Sequence, residues 1–193
     1  MVKLVKRIIL LALLLAVIVI GFQIKGGYDK YREVLEKESL ETVITELKEK
    51  ENYTKYEDVP EIYFKALVAV EDRRFYKHNG FDIIGTGRAI YNDIKAKKLL
   101  EGGSTISQQL AKNLYFPQDD TLERKIAEVF MALKIEREYT KEEILEFYVN
   151  GIYYGSGYYS VYYKLLQIKR TKFSKQSKIW FFFIEDIIYV NFV

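Results

Sequence analysis

The sequence predicts an all-α protein tethered by one apolar N-terminal helix, and three observations carry that expectation. An unbroken apolar run from Ile8 to Ile20 follows Lys3, Lys6 and Arg7. Helix-start patterns recur along the rest of the chain: Asp58-x-x-Glu61, Thr105-x-x-Gln108 and Thr140-x-x-Glu143 each precede apolar residues spaced three and four apart. Only two prolines interrupt 193 residues that include 17 tyrosines and 12 phenylalanines, a composition suited to an aromatic-rich helical core.

That length suffices for one domain with a real core. The formal charge of +3 is mild and the two signs are mixed, unlike the concentrated basic face of a nucleic-acid binder, so no nucleic-acid partner is expected. The absence of cysteine excludes a disulfide framework and a thiolate metal site, and a single histidine excludes a multi-histidine metal centre.

The apolar run, extended by Gly21 and Phe22, falls between a signal-peptide core and a span of ~20 residues. With Leu4 and Val5 included, and Lys6 and Arg7 reaching back to the interface, it can cross a bilayer. No small-x-small cleavage site follows, so residues 1–27 read as a cytoplasmic tail and uncleaved anchor, with the rest on the outer face. Residues 28–57 are polar, with weak helical periodicity at Val34, Leu35, Val43, Ile44 and Leu47. They read as a juxtamembrane stalk or as the first amphipathic helix of the domain.

Residues 58–160 carry the domain proper. Ile62 to Val70 is apolar on nearly every side except Lys65 and reads as a buried helix. Asp58 and Glu61 cap it, Pro60 lies in its first turn, and Gly80 offers a stop. Asp82 caps the next helix, whose stripe is Ile83, Gly87, Ile90 and Ile94. Gly102 and Gly103 loosen the backbone before the Thr105 helix, which turns Ile106, Leu110 and Leu114 to the core. Leu122 to Glu138 is the clearest amphipathic helix, with Ile126, Val129, Phe130 and Leu133 as its core stripe. The Thr140 helix places Ile144, Leu145 and Tyr148 inside and ends at Asn150-Gly151. Residues 161–193 change character. From Tyr158 onward there is no glycine, alanine or proline, and the tail reads as a hairpin or as an amphipathic, membrane-facing segment. Its bias toward Lys, Phe, Ile, Asn and Tyr also fits a shifted reading frame in an A/T-rich gene.

Three local patterns carry chemistry. Glu71 to Gly80 packs a carboxylate pair, an arginine pair, two aromatics and the only histidine near the exposed end of a core helix. A half-buried carboxylate there can serve as a general acid or base, although a charged helix end with salt bridges gives the same pattern. On the Thr105 helix, Thr105, Gln109 and Lys112 fall in one polar sector beside a helix N-terminus, which favours anions; an ordinary capped helix reads the same. Arg124 and Glu128, four apart and opposite the core stripe, read by themselves as a surface ion pair.

Taken together and in order, the strings EDRRFYKHNGFD, GGSTISQQLAKN and RKIAEVFMALKIE, with the weaker ILEFYVNGIYYGSGYY, resemble the peptidoglycan glycosyltransferases of glycosyltransferase family 51. These are the monofunctional transglycosylases and the N-terminal domains of class A penicillin-binding proteins. The resemblance runs from about Val59 to Tyr159. It implies a lysozyme-like helical domain with one transmembrane anchor at the bacterial cytoplasmic membrane. The implied reaction polymerises lipid II into β-1,4 glycan strands and releases undecaprenyl diphosphate.

At matching positions the resemblance implies roles. Glu71 is the general base toward the acceptor 4-hydroxyl, and Glu128 is the second catalytic glutamate, on the donor side. Lys112 and Arg124 hold the diphosphate. Thr105, Gln108 and Gln109 line the substrate, while Asp72, Phe75 and His78 shape the cleft and hold Glu71. Cationic neighbours are expected around Glu128, and burial against Phe75 is expected to raise the pKa of Glu71. No cofactor is required, and a divalent cation such as magnesium or manganese at the diphosphate is compatible. The implied partners are lipid II, the growing glycan strand, the membrane and other cell-wall synthesis proteins.

The chain departs from the family pattern beyond Tyr159, where further helices are expected, and it carries no serine-lysine penicillin-binding motif. Two other readings follow. One is a muramidase-like glycan hydrolase; the other is an inactive, truncated membrane remnant that binds lipid II.

Overall fold

The computed structural model describes residues 2–97, 102–116 and 121–152. Seven α-helices follow one another among them, with no β-strand. They are α1 (Val2–Lys37), α2 (Leu40–Lys48), α3 (Glu61–Glu71), α4 (Ile83–Ala96), α5 (Ile106–Tyr115), α6 (Leu122–Glu138) and α7 (Lys141–Gly151), with 3-10 turns at Tyr56–Asp58 and Phe75–Lys77. The residue 161–193 tail lies outside the described residues.

α1 rises about 54 Å at ~1.5 Å per residue, and its apolar N-terminal part is exposed along its length. It is long and apolar enough to cross a membrane. No break separates the anchor from the segment after it: the helix passes through residue 27 and packs its C-terminal half on α6. The approach is close because Gly26 and Gly27 remove side chains at the crossing; a Cβ on Gly27 would lie 2.4 Å from Ile126 Cγ2. Beside that notch Tyr28 and Tyr31 pack on the Phe130 ring, at centroid distances of 5.3 and 5.8 Å. α2 then turns Leu40, Ile44 and Leu47 into the core beside α7.

The core sits where α5, α6 and α7 meet. Ile106 and Leu110, Met131 and Ile135, and Ile144, Leu145 and Phe147 are all fully buried. Each such side chain removed from water contributes ~1.5–3 kcal/mol. The expected capping boxes of α5 and α7 form, with Thr105 and Gln108 exchanging bonds at one end and Thr140 and Glu143 at the other. Asn150 ties α7 to the loop after α2, accepting from Thr54 N at 2.8 Å and donating to Thr54 O at 2.8 Å.

Four expectations are corrected by packing. Asp58 does not cap α3: it lies in the 3-10 turn, Val59 is extended as a residue before proline tends to be, and the helix starts after Pro60. α3 is not apolar all round, since Tyr63, Phe64, Ala66 and Leu67 are buried but Ile62 and Val70 are exposed. It stops at Asp72 rather than at Gly80. Gly80 does take φ +97°, but for a close approach, because a Cβ there would lie 2.8 Å from the Ala132 backbone.

The fourth correction concerns α6. It buries Ala127, Glu128, Met131, Ala132 and Ile135, while Ile126, Val129 and Phe130 are only half-buried and Leu133 is exposed. Covered by α1 on one side and α5 on the other, this helix has little solvated face. α4 shows the reverse. Asp82 caps it as expected and pairs with Arg74 at 3.0 Å, yet only Ala89 is buried. Its stripe points outward, with Ile83 75% and Ile94 72% exposed.

Candidate active site

The turn after α3 is built around Asp72. Its Oδ2 accepts from Ile106 N, the first amide of α5, at 3.1 Å, and from His78 Nε2 at 2.9 Å. Gly80 N–H donates to His78 Nδ1 at 3.2 Å. A nitrogen that accepts carries no proton in the neutral ring, so His78 is held as the tautomer protonated on Nε2. Thr105 completes the frame by donating its hydroxyl to Gly80 O at 2.7 Å.

Beneath it lies Phe75, fully buried, with the Lys141 ammonium 4.2 Å from its ring centroid. That ammonium also donates to His78 O and to Glu136, both at 2.8 Å, so its donors are spent on a carbonyl, a carboxylate and a π-face. This arrangement fixes the position of the chain leaving α3.

Glu71 is the last residue of α3 and is half-buried. Gln109 Nε2 donates to its Oε2 at 2.8 Å, and Tyr148 donates its hydroxyl to Gln109 Oε1 at 2.9 Å. Tyr148 is fully buried, and burial first, then the nearby Glu71 carboxylate, push its ionisation well above the ordinary value of 10.0. The phenol therefore stays a donor. Lys112 follows Gln109 by three residues, projects from the same side of α5 and is exposed.

The second carboxylate is deeper. Glu128 is fully buried, contrary to the surface pair expected of it. Lys125 donates to its Oε2 at 2.8 Å, and Arg124 Nη1 stands 3.2 Å from Oε1. The Lys125 ammonium also donates to Ser104 Oγ at 2.7 Å, just before α5 begins. Two cations thus meet one carboxylate beside the N-terminal approach to α5. Their side chains differ in access, Arg124 being 11% exposed and Lys125 44%.

Among the described residues no group of three or more histidine, aspartate or glutamate side chains is placed to hold a metal. The surroundings of Glu128 do not suit a resident divalent ion either, since both its oxygens face cations at 3.2 Å or closer.

The residues singled out in the sequence are therefore brought together in two groups around α5. Glu71, Gln109 and Lys112 form one, and Arg124 and Glu128 the other. Asp72, His78 and Phe75 hold the turn and the start of α5, while Gln109 donates to Glu71. Thr105 and Gln108 are buried in the capping box, so their polar groups are used internally. The helix end expected to favour anions is occupied by the chain itself, because Asp72 takes its first amide. Lys125, Ser104 and the Lys141–Glu136 pair join the site without having been singled out in the sequence, and Tyr148, read there only as a core residue, joins it through its hydroxyl. The only signal for Lys125 is its spacing of three from Glu128, which any solvated helix also shows.

Comparison with known proteins gives the chain a family and relatives. The chain matches the family described as Transglycosylase over residues 37–166, about two thirds of its length. It is 47% identical over 113 residues to a monofunctional glycosyltransferase of Staphylococcus saprophyticus, covering 58% of this chain and 42% of the relative. It is 48% identical over 104 residues to penicillin-binding protein 1F of Bacillus subtilis, covering 54% of this chain and 15% of that protein. Penicillin-binding protein 1A of Aquifex aeolicus shares 47% over 113 residues, 58% of this chain and 16% of its own. The chain spans about two fifths of the monofunctional relative's length and about a sixth of the two penicillin-binding proteins. With its helical, lysozyme-like domain, its membrane-length first helix and a family match across most of its length, the chain belongs to the transglycosylase family.

Proposed function

We propose that the chain is a peptidoglycan glycosyltransferase that polymerises lipid II into β-1,4-linked glycan strands. The observation that carries this reading is Glu71, held at the end of α3 by Gln109 on the side of α5 that bears Lys112. Glu71 removes the proton from the 4-hydroxyl of the acceptor N-acetylglucosamine. A sugar hydroxyl has a very high pKa, so attack needs a base within hydrogen-bond reach. The freed oxygen attacks the anomeric carbon of the lipid-linked donor with inversion. The bond from that carbon to the diphosphate breaks, and its electron pair leaves with undecaprenyl diphosphate.

The negative charge that develops on the leaving group calls for fixed positive charge in place beforehand. Lys112, Arg124 and Lys125 supply it, and Glu128 orients the last two at 3.2 and 2.8 Å. No resident metal is required in this scheme, and a divalent ion enters only as a companion of the substrate diphosphate. Lys3, Lys6 and Arg7 ahead of the apolar run support an orientation with the N-terminus in the cytoplasm and the domain on the outer face. The outward apolar stripe of α4 suits a domain that works against lipid.

A glycan hydrolase on the same scaffold has no diphosphate to hold, so the three cations favour synthesis. The test is to incubate the full chain in detergent with labelled lipid II, and separately with preformed glycan. Growth of a polymer that a muramidase digests, with release of undecaprenyl diphosphate, is the expected result. Shortening of the added glycan, or no product from a folded chain, would overturn the assignment.

A further inference from the structure

We propose that Tyr148 is a positioning residue for the base, acting through Gln109 to fix Glu71 as a hydrogen-bond acceptor aimed at the substrate hydroxyl; this rests on the reading of Glu71 as that base. Tyr148, Gln109 and Glu71 form a hydrogen-bond chain with a fixed polarity. An amide side chain has one accepting and one donating end. Tyr148 donates to the accepting end, Gln109 Oε1, at 2.9 Å. The NH2 end is thereby left to face Glu71 Oε2, at 2.8 Å. A carboxylate satisfies an N–H donor there, whereas a protonated carboxyl oxygen would set O–H against N–H. The chain therefore favours the ionised base.

The tyrosine can impose this because it cannot reverse its own role. Its ring is fully buried on α7, and burial followed by the nearby Glu71 carboxylate holds the phenol protonated. The titratable groups that face the hydroxyl are Glu71 and Tyr63 of α3 and Asp72 at the end of that helix. All three disfavour a phenolate. Without the hydroxyl, the amide of Gln109 is free to turn its oxygen toward a protonated Glu71, and the neutral acid gains a partner.

The test compares Tyr148→Phe with the unsubstituted full chain in detergent. Phenylalanine keeps the ring in the core and removes only the donor. Lipid II polymerisation is followed against pH, and the titration of the Glu71 side-chain carboxyl carbon by NMR, assigned from its loss in Glu71→Gln. Tyr148→Phe is expected to lower kcat on the order of tenfold with KM little changed. It should move both the acidic limb and the Glu71 titration upward by about one pH unit. Gln109→Leu should give the same shift, and adding Tyr148→Phe to it should change little more, because the tyrosine acts only through the amide. A Glu71 titration that stays in place in Tyr148→Phe, or full additivity of the two substitutions, would overturn the proposal. Polymerisation that persists in Glu71→Gln would instead overturn the reading of Glu71, and the two failures are distinguished because the titration needs no turnover.

Discussion

Replacing Glu128 with glutamine removes one buried negative charge and leaves two cations facing each other. In the native protein this carboxylate is wholly buried, with Lys125 2.8 Å from one oxygen and Arg124 3.2 Å from the other. Removing one partner of a buried ion pair costs ~3–5 kcal/mol when the remaining charge has nowhere to go. The Lys125 side chain is 44% exposed and can swing into water, whereas Arg124 is only 11% exposed. Because Lys125 can reach water, the cost should fall at or somewhat below the bottom of that range, ~2–3 kcal/mol. For a chain of this size each kcal/mol moves the melting point by roughly 2–4 °C, so a drop of about 4–12 °C is expected. Thermal unfolding in detergent, followed by circular dichroism, measures it. Adding Lys125→Met should recover part of the loss, since it removes one of the stranded charges. Added salt should recover little, because Arg124 and position 128 are largely shielded from solvent ions. A Glu128→Gln chain that melts within about 1 °C of the unsubstituted protein would refute the buried cluster as the organiser of α6.

Two further outcomes follow from the packing. Gly27→Leu should weaken the docking of α1 on α6 by ~1–3 kcal/mol, since even the first added carbon meets Ile126 Cγ2 at 2.4 Å and the Glu123 carbonyl at 3.0 Å; the melting point reports it, and Gly21→Leu, in open space, is the matched control. Alkaline pH should destabilise the domain: burial raises Tyr148, Tyr53 and Tyr115 above the ordinary 10.0, so the folded state holds these protons longer than the unfolded chain. Stability is then complete below about pH 10 and falls as pH rises, by up to ~1.4 kcal/mol per pH unit for the fully buried Tyr148 and by less for the two that solvent reaches. Urea unfolding midpoints between about pH 8 and 11.5 would show the slope, and Tyr148→Phe should flatten it.

What could be read from the sequence was local. Capping boxes at Thr105 and Thr140 need only the residues three positions on, and both form. The apolar run of α1 and the buried faces of α5 and α7 are periodic over a few turns, and they too were legible. Burial of Glu128 was not, because it depends on α5 and its Ser104 approach lying against α6, where Lys125 reaches both Glu128 and Ser104, 21 positions back. A pair four apart on a helix carries no mark of what will cover it. The role of Gly80 was misread for a related reason. Its positive φ was foreseeable from its type, but the demand comes from the Ala132 backbone of another helix. The partners of the candidate site divide in the same way. Thr105, Gln109 and Lys112 share a face by spacing alone, whereas the link from Tyr148 through Gln109 to Glu71 crosses three helices and exists only in the fold.

The central claim is that Glu71 is the base of a glycan-forming reaction, and the rate of lipid II polymerisation by Glu71→Gln tests it most directly. Glutamine keeps the size and still meets Gln109, but it cannot accept a proton. The account predicts a fall of about 10²–10⁴-fold in kcat while lipid II binds as before. Polymerisation within a few-fold of the unsubstituted chain, at unchanged lipid II affinity, would contradict it.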